Sequence, residues 1–290
     1  MGTDRPGVRL RRALLAPEVL VLPGAYDALT ARLVARHGFE AVYLTGAGTT
    51  NAQLALPDIG LLTLTEMAGA VARAATAADV PLLVDADTGY GSGASIQRAV
   101  RELDRAGAGG IQIEDQVLDK RCGHLDGKTV VASAEMAERI ELARVARLDP
   151  DLVLVARTDA AAVEGVEGAL RRAHAYVDAG ADAIFVEALG GAEDFEAFAR
   201  RAPEVPLIAN MTEFGKTPLL SSAELGALGY AAVLFPMTAF RLMLRAVDDG
   251  LAELAREGTQ RGLVERMATR DELYEVLGYD PAEPLLEPPG

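Results

Sequence analysis

The chain has 290 residues, of which 50% are hydrophobic and 24% charged, a composition typical of a globular protein with a substantial core. Its 28 lysines and arginines against 43 aspartates and glutamates give a net charge of -15, which disfavours nucleic-acid and anionic membrane partners. The sequence has no apolar run of the roughly 20 residues that span a membrane, and its single cysteine excludes an internal disulfide, so we expect a cytoplasmic protein.

Eight short apolar runs predict the strands of the fold. They cover residues 19–24, 41–46, 81–87, 110–115, 152–159, 183–188, 206–211 and 231–237. The runs are almost continuously apolar, as in strands buried on both faces, and they alternate with helical stretches such as 94–107 and 166–180. This pattern predicts the α/β class and a (β/α)8 TIM barrel rather than a doubly wound open sheet. We expect a single domain over residues 1–290, with a C-terminal helical extension at about 240–277 and a short flexible tail.

Polar side chains follow the predicted strands rather than precede them. In an α/β barrel the active site lies at the C-terminal ends of the strands, so these side chains are expected to converge there. They are Asp85, Asp87, Glu114, Asp115, Arg157, Asp159, Glu187 and Asn210.

Three of these carboxylates form a candidate metal site. Asp85 and Asp87 are two residues apart on one strand and project to the same side, and Glu114 ends the next strand. Carboxylates in one pocket repel each other unless a cation lies among them, and oxygen ligands favour Mg²⁺ or Mn²⁺ over Zn²⁺. The alternative is a structural network in which the acids pair with Arg157 or Lys120.

Three arginines are candidate ligands for a carboxylate or phosphate, because a guanidinium group binds two oxygens at once. Arg157 ends the fifth predicted strand, Arg241 follows the eighth, and Arg270 lies in a late helical segment. For Arg241 and Arg270 the alternative is a solvated helix face or a surface salt bridge.

The segment DKRCGHLDGK, residues 119–128, contains the only cysteine, Cys122, among Lys120, Arg121 and His124. Neighbouring cations favour the thiolate, which makes Cys122 a candidate acid, base or nucleophile, with His124 as a partner or an orienting charge. The alternative is an inert thiol in a surface loop.

Four ordered motifs resemble the isocitrate lyase and phosphoenolpyruvate mutase superfamily. They are VDADTGYG (84–91), IEDQ (113–116), KRCGH (120–124) and VARTDA (155–160), and the likeness covers about residues 10–279. Segments 210–218, 235–241, 257–260 and 267–275 are most similar to the 2-methylisocitrate lyase family. The stretches PGAYDALTA (23–31) and LTGAGTT (44–50) are instead similar to carboxyphosphonoenolpyruvate mutase and dimethylmalate lyase members.

The resemblance implies a Mg²⁺-dependent carbon-carbon lyase that cleaves 2-methylisocitrate to pyruvate and succinate, in the methylcitrate cycle of propionate catabolism. The alternative is a related enzyme on a smaller diacid, such as a 2,3-dimethylmalate lyase, an oxaloacetate decarboxylase or a carboxyphosphonoenolpyruvate mutase. The resemblance also implies a homotetramer in which a C-terminal helix is exchanged between barrels.

The residue roles that the resemblance implies fall into three groups. Mg²⁺, or Mn²⁺, is expected on Asp85 and Asp87, with Glu114 and Asp58 acting through water. Tyr43 is the expected base and Cys122 the expected acid, with Lys120 and His124 setting the proton affinity of Cys122. The residues expected to bind the substrate are Thr45, Gly46, Ala47, Cys122, Gly123, Arg157, Glu187, Asn210, Met211, Thr212, Arg241 and Arg270.

Overall fold

Eight parallel strands pair in chain order and close into a barrel in the computed structural model, which describes residues 4–120, 127–215 and 217–281. The barrel closes where β1 (Leu20–Ala25) pairs with β8 (Ala232–Phe235), with Leu20 opposite Ala232 and Pro23 opposite Phe235. The predicted (β/α)8 barrel is therefore confirmed. The strands are β1 (Leu20–Ala25), β2 (Val42–Leu44), β3 (Leu82–Asp85), β4 (Gly110–Glu114), β5 (Val153–Thr158), β6 (Ala183–Val186), β7 (Leu207–Asn210) and β8 (Ala232–Phe235).

Helices alternate with the strands, and their ends follow local sequence signals. Thr63 and Glu66 form a capping box at the start of α4 (Leu64–Ala77), and Ser221 and Glu224 form another at α9 (Ser222–Ala227). Gly165 has a positive φ of 72° and kinks α7 (Ala161–Asp178) near its start, where the sequence predicted a helix only from residue 166. The helices are α1 (Pro6–Leu14), α2 (Ala28–Arg36), α3 (Gly46–Leu54), α4 (Leu64–Ala77), α5 (Ala94–Arg105), α6 (Ser133–Ala146), α7 (Ala161–Asp178), α8 (Ala192–Ala199), α9 (Ser222–Ala227), α10 (Thr238–Glu257) and α11 (Arg270–Leu277), with a 3-10 helix at Arg261–Arg266.

Two apolar layers build the barrel, because successive residues of a strand point to opposite faces. On β5, Leu154 and Ala156 pack outward in the layer shared with the helices, while Val153 and Val155 fill the interior. Leu10 of α1 joins the interior layer, and its helix contacts β3, β4 and β5. The N-terminal end of the barrel is therefore closed by apolar packing, which leaves the C-terminal ends of the strands to carry polar groups.

The chain divides into two compact units, residues 1–240 and 241–290. The second unit holds most of α10, the 3-10 helix and α11, which begins with a capping box of Thr269 and Glu272 and ends at Gly278 in the left-handed region. The predicted single domain and exchanged helix stay predictions, and the predicted flexible tail lies in residues 282–290, outside the described residues. In the part of the chain that the structure describes, no helix combines the length and apolar character that a membrane crossing requires.

The closing pair of strands gives a test of the fold. A Cβ atom on Gly24 of β1 would lie 2.0 Å from the carbonyl oxygen of Pro236, a backbone atom that cannot rotate away. We expect Gly24→Ala to lower the free energy of unfolding by about 1–3 kcal/mol or more, the usual cost of overpacking, as measured by urea unfolding. The control is Gly250→Ala in α10, whose new Cβ meets only Leu263 at 3.9 Å. Equal stability of the two variants would contradict the close packing of β1 on β8.

Candidate active site

Polar residues replace apolar ones in the barrel interior at the C-terminal ends of the strands. The register places Asp85 of β3 opposite Gln112 of β4, and Glu114 of β4 opposite Arg157 of β5. All four side chains are at least nine-tenths buried. At the strand ends, where the sequence predicted the site, the structure has a buried, charged cluster.

Asp85 is held by two backbone donors, one at the start of α3 and one just after β3. Its Oδ2 accepts a hydrogen bond of 3.1 Å from Gly46 N, and its Oδ1 accepts one of 3.2 Å from Asp87 N. Thr45 caps α3, with its Oγ1 accepting from Gly48 N. A Cβ on Gly46 would lie 2.9 Å from Asp85 Oδ2, so the glycine lets the helix start approach the carboxylate. The next residue, Ala47, is partly buried in the first turn of α3.

Lys120 lies between two carboxylates of the acidic cluster. Its Nζ is 2.6 Å from Asp58 Oδ1 and also forms an ion pair with Asp87. Burial raises the pKa of Asp87 to about 7, against the opposing effect of the Lys120 charge. Burial lowers the pKa of Lys120, but the carboxylates, Asp87 foremost, raise it, and the net shift is upward. The lysine therefore stays protonated and its charge compensates the acids.

Arg157 is the second buried cation of the site. Its Nε and Nη2 donate to Asp159 at 2.9 and 3.1 Å, and its Nη1 lies 3.3 Å from Glu114 Oε2. Nη2 also lies 3.4 Å from Glu187 Oε2, and the guanidinium carbon is 5.2 Å from the ring centroid of Phe185. Burial raises the pKa of Glu114 well above its ordinary value, although Arg157 opposes the shift. The sequence left open the alternative that the acids pair with Arg157 or Lys120. Ion pairs of this kind are present in the structure.

Tyr43 is linked to Asp85 through a buried glutamine. The Tyr43 hydroxyl donates to Gln112 Oε1 at 2.7 Å, and Gln112 Nε2 donates to Asp85 Oδ1 at 3.2 Å. Burial, reinforced by the charge of Asp85, raises the pKa of Tyr43 well above its ordinary value. Tyr43 is therefore a protonated hydrogen-bond donor in this conformation, and its role as a base stays a prediction.

The end of β7 adds an amide to the cluster. Asn210 Nδ2 donates to both carboxylate oxygens of Glu187, at 3.3 and 3.1 Å. Asn210 Oδ1 is buried and has no hydrogen-bond partner among the described residues, which leaves an acceptor for a ligand or a water molecule. Met211 is buried and Thr212 partly buried just beyond the strand.

The candidate metal ligands fit a hydrated magnesium ion. Within residues 4–120, 127–215 and 217–281, no three acidic, histidine or cysteine side chains converge closely enough to hold an ion directly. Mg²⁺ commonly binds through one or two carboxylates and keeps several waters, which requires fewer direct ligands. Asp85 and Asp87 supply buried, hard oxygen donors of this kind, and a cation would relieve the repulsion that contributes to the raised pKa of Asp87.

Several predicted site residues cannot be compared with this geometry. Cys122, Gly123 and His124 lie outside the described residues. Arg241 and Arg270 belong to the second unit, in α10 and at the start of α11. Their predicted roles stay predictions.

Sequence reasoning gave no role to three buried residues that contact the site. Gln112 is the only polar residue among the first four residues of β4, GIQI (110–113). A polar side chain between two isoleucines was the feature of the sequence that could have identified it. Asp159 contacts both Arg157 and Lys128, and the sequence identified it only as a strand-end acid. Lys128 carried no signal, because a lysine after a glycine in a polar loop is normally solvated.

With the geometry in view, comparisons with known proteins identify the class. A barrel with buried carboxylates and cations at the C-terminal strand ends is the architecture of an enzyme, and residues 10–255 match the phosphoenolpyruvate phosphomutase family model. The chain belongs to the phosphoenolpyruvate phosphomutase family.

Individual members of the family show which of its enzymes this chain is similar to. The chain is 52% identical to the probable 2-methylisocitrate lyase 1 of Corynebacterium glutamicum, over 93% of this chain and 88% of that protein. A crystal structure of 2,3-dimethylmalate lyase superposes with a TM-score of 0.90 at 35% identity, over 96% and 93% of the two chains. A phosphonopyruvate hydrolase in complex with oxalate and Mg²⁺ superposes with a TM-score of 0.85 at 29% identity, over 95% of each chain. The predicted resemblance to the superfamily and its 2-methylisocitrate lyases is confirmed.

The hydrogen bonds of Gln112 give a test of the site. Replacing Gln112 by Leu leaves the buried Tyr43 hydroxyl without its acceptor and removes a donor from Asp85. We expect the free energy of unfolding to fall by about 1–3 kcal/mol, the cost of an unsatisfied buried polar group, as measured by urea unfolding. Gln53→Leu, at an exposed position of α3, is the matched control and should change stability little. A Gln112→Leu protein as stable as this control would contradict the Tyr43–Gln112–Asp85 chain.

Proposed function

We propose that this protein is a Mg²⁺-dependent carbon-carbon lyase that cleaves 2-methylisocitrate into pyruvate and succinate, with a role in the methylcitrate cycle of propionate catabolism. The observation that carries the proposal is the 52% identity to a probable 2-methylisocitrate lyase over 93% of the chain. It is supported by the buried set of Tyr43, Asp85, Glu114 and Arg157, which supplies the residue types that the cleavage needs.

Binding comes first in the proposed reaction. The substrate carries three carboxylates, and a chain with a net charge of -15 needs local cations to hold them. Arg157, with Thr45, Gly46 and Ala47, binds the part of the substrate that becomes pyruvate. Another group, Asn210, Met211, Thr212, Arg241, Arg270 and the backbone of Gly123, binds the part that becomes succinate, and Glu187 adjoins both through its contacts with Arg157 and Asn210.

Asp85 and Asp87 hold Mg²⁺ in the proposal, with Glu114 and Asp58 acting through water molecules. The bound ion would polarise the hydroxy-acid group and offset the Asp85 charge, which adds to the effect of burial in raising the pKa of Tyr43. Support comes from the oxygen donors of this cluster and from the Mg²⁺ complex of the related phosphonopyruvate hydrolase. Mn²⁺ has the same preference for oxygen ligands.

Two proton transfers complete the cleavage. Tyr43 as a phenolate takes the proton of the substrate C2 hydroxyl, and the oxygen forms the carbonyl of pyruvate as the C2–C3 bond breaks. The electron pair of that bond moves into the succinate fragment as an aci-carboxylate. Cys122 donates a proton to this carbanion, while Lys120 and His124 set the proton affinity of the thiol.

A second candidate function is cleavage of a smaller diacid. The likeness to 2,3-dimethylmalate lyase, with a TM-score of 0.90, and the local resemblance of residues 23–31 and 44–50 favour it. Oxaloacetate decarboxylation and a phosphonomutase reaction are further candidates of this kind, since each acts on a small anionic substrate. A third carboxylate needs a larger anion-binding set, so the size of the preferred substrate distinguishes these functions.

The assembly and the location are further parts of the proposal. A homotetramer with an exchanged C-terminal helix rests on the family resemblance, and small carboxylates are the partners that fit the site. The cytoplasmic location rests on the single cysteine in the sequence.

Substrate turnover tests the proposed function directly. We expect the purified chain with Mg²⁺ to release pyruvate and succinate in equal amounts from 2-methylisocitrate, measured by coupled assay and mass spectrometry. EDTA should abolish turnover and added Mg²⁺ should restore it, because the acidic cluster then regains its cation. The control substrates are 2,3-dimethylmalate and oxaloacetate under the same conditions. Turnover of either control without turnover of 2-methylisocitrate would contradict the proposal and favour the second candidate function.

The proposed acid is tested by Cys122→Ser. A serine hydroxyl is a much weaker acid than a thiol, so we expect kcat to fall by about 10²-fold or more, within the range of a general acid's contribution. KM should change little, because the variant keeps the size of the side chain. Cleavage at the wild-type rate would show that another group protonates the succinate fragment.

A further inference from the structure

Asp159 lies between two buried cations at the edge of the site. Its Oδ2 accepts from Arg157 Nε at 2.9 Å, and its Oδ1 accepts from Arg157 Nη2 at 3.1 Å and from Lys128 Nζ at 2.8 Å. The side chains of Lys128 and Asp159 are 2% and 0% exposed. A buried lysine is costly unless it is paired, so this contact is a specific feature of the fold.

The backbone of Asp159 is held by the carboxylate of Asp115. Asp159 N donates to Asp115 Oδ1 at 2.9 Å, while Asp115 Oδ2 accepts from Thr158 Oγ1 at 2.7 Å and from the Tyr176 hydroxyl at 2.8 Å. Asp159 therefore has its backbone held on one side and presents its two oxygens to Arg157 and Lys128 on the other. Two parallel hydrogen bonds of this kind define the plane of a guanidinium group.

Lys128 directly precedes a short backbone ladder between residues 115–117 and 129–131. Val117 N donates to the carbonyl of Thr129 at 3.1 Å, and Val131 N donates to the carbonyl of Asp115 at 2.8 Å. Arg172 Nη1 donates to the carbonyl of Val131 at 2.8 Å and ties this ladder to α7. These hydrogen bonds fix the backbone that follows Lys128, while the ammonium group itself is held by Asp159.

The charges around Arg157 show why a second cation matters. Asp159, Glu114 and Glu187 all lie within 3.4 Å of its guanidinium group and compete with any anionic ligand. Arg157, Lys128 and Asp159 together carry a charge of +1, whereas Arg157 and Asp159 without Lys128 carry none, and Glu114 and Glu187 are the same in both cases. Such charges interact strongly in a buried site, because little water screens them.

We propose that Lys128 and Asp159 are a positioning pair for Arg157: Asp159 fixes the plane of the guanidinium, and Lys128 offsets the Asp159 charge so that Arg157 binds a substrate carboxylate. The inference rests on the proposed function, in which Arg157 is the anion ligand. It assigns a part in substrate affinity to two residues that take no part in the proton transfers.

A purely structural pair would behave differently from a positioning pair. A structural role predicts that loss of either member lowers stability and leaves the affinity of the folded protein for anions unchanged. A positioning role predicts that anion affinity follows the summed charge of Arg157, Lys128 and Asp159. Charge compensation between two substitutions separates these roles.

The experiment measures oxalate binding by calorimetry on the full-length, folded chain with saturating Mg²⁺. We expect Lys128→Met to raise the Kd for oxalate about tenfold, and Lys128→Arg to stay within about twofold of wild type because it keeps the charge. The double variant Lys128→Met with Asp159→Asn restores the +1 sum, keeps one side-chain oxygen at position 159 to accept from Arg157, and should recover to within about threefold of wild type. Arg200→Met removes one charge from a side chain that is 73% exposed, and this control should bind oxalate as wild type does.

Two results would overturn the inference. One is a Lys128→Met protein that binds oxalate with wild-type affinity. The other is a double variant that binds about tenfold more weakly than wild type. In Lys128→Met the buried Asp159 carboxylate loses its lysine partner, which can prevent folding. The double variant has no carboxylate at position 159, so it provides the test when Lys128→Met does not fold.

An Arg157→Met arm separates this inference from the proposed function. Wild-type oxalate affinity in that variant would overturn the inference, because Arg157 would not be the anion ligand. The binding assay requires no turnover of 2-methylisocitrate. The oxalate affinities therefore test the inference even when the proposed substrate is wrong.

Discussion

The need to neutralise buried charge governs the C-terminal end of this barrel. Carboxylates from β3, β4 and the ends of later strands share a space with little water, where an uncompensated charge would cost several kcal/mol. Two cations, Lys120 and Arg157, reach into the cluster and keep their protons because the acids raise their pKa values. Burial raises the pKa values of Asp87 and Glu114 in turn, and the charges of Lys120 and Arg157 oppose that shift only in part.

This balance divides the site into two halves. Around Lys120, the carboxylates of Asp58 and Asp87 form the half that suits a hydrated cation. Around Arg157, the planar guanidinium forms the half that suits a carboxylate ligand. Lys120 and Lys128 lie at the two ends of residues 120–128, and each is buried against a carboxylate of a different half. The segment that carries the predicted acid is thereby tied at one end to the cation half and at the other to the anion half.

Much of this arrangement could be predicted from strand patterns. The alternation of apolar runs and helical stretches was sufficient for the closed barrel, and the acids after VDAD and IED were recognisable because they interrupt apolar runs. The link from Tyr43 through Gln112 to Asp85 was not predictable, since a single glutamine in a strand does not indicate its partner. Helix α1 was also missed as a barrel component, because its packing on three strands depends on contacts distant in the sequence.

The sequence by itself determined the fold class, the end of the barrel that carries the site and the family, because strand periodicity and ordered motifs are local properties of the chain. Only the tertiary structure decided which charges meet. Lys128 and Asp159 are 31 residues apart, yet they make a buried 2.8 Å contact. Barrel closure and the register of neighbouring strands set such contacts, and neither can be predicted from the residues around each charge.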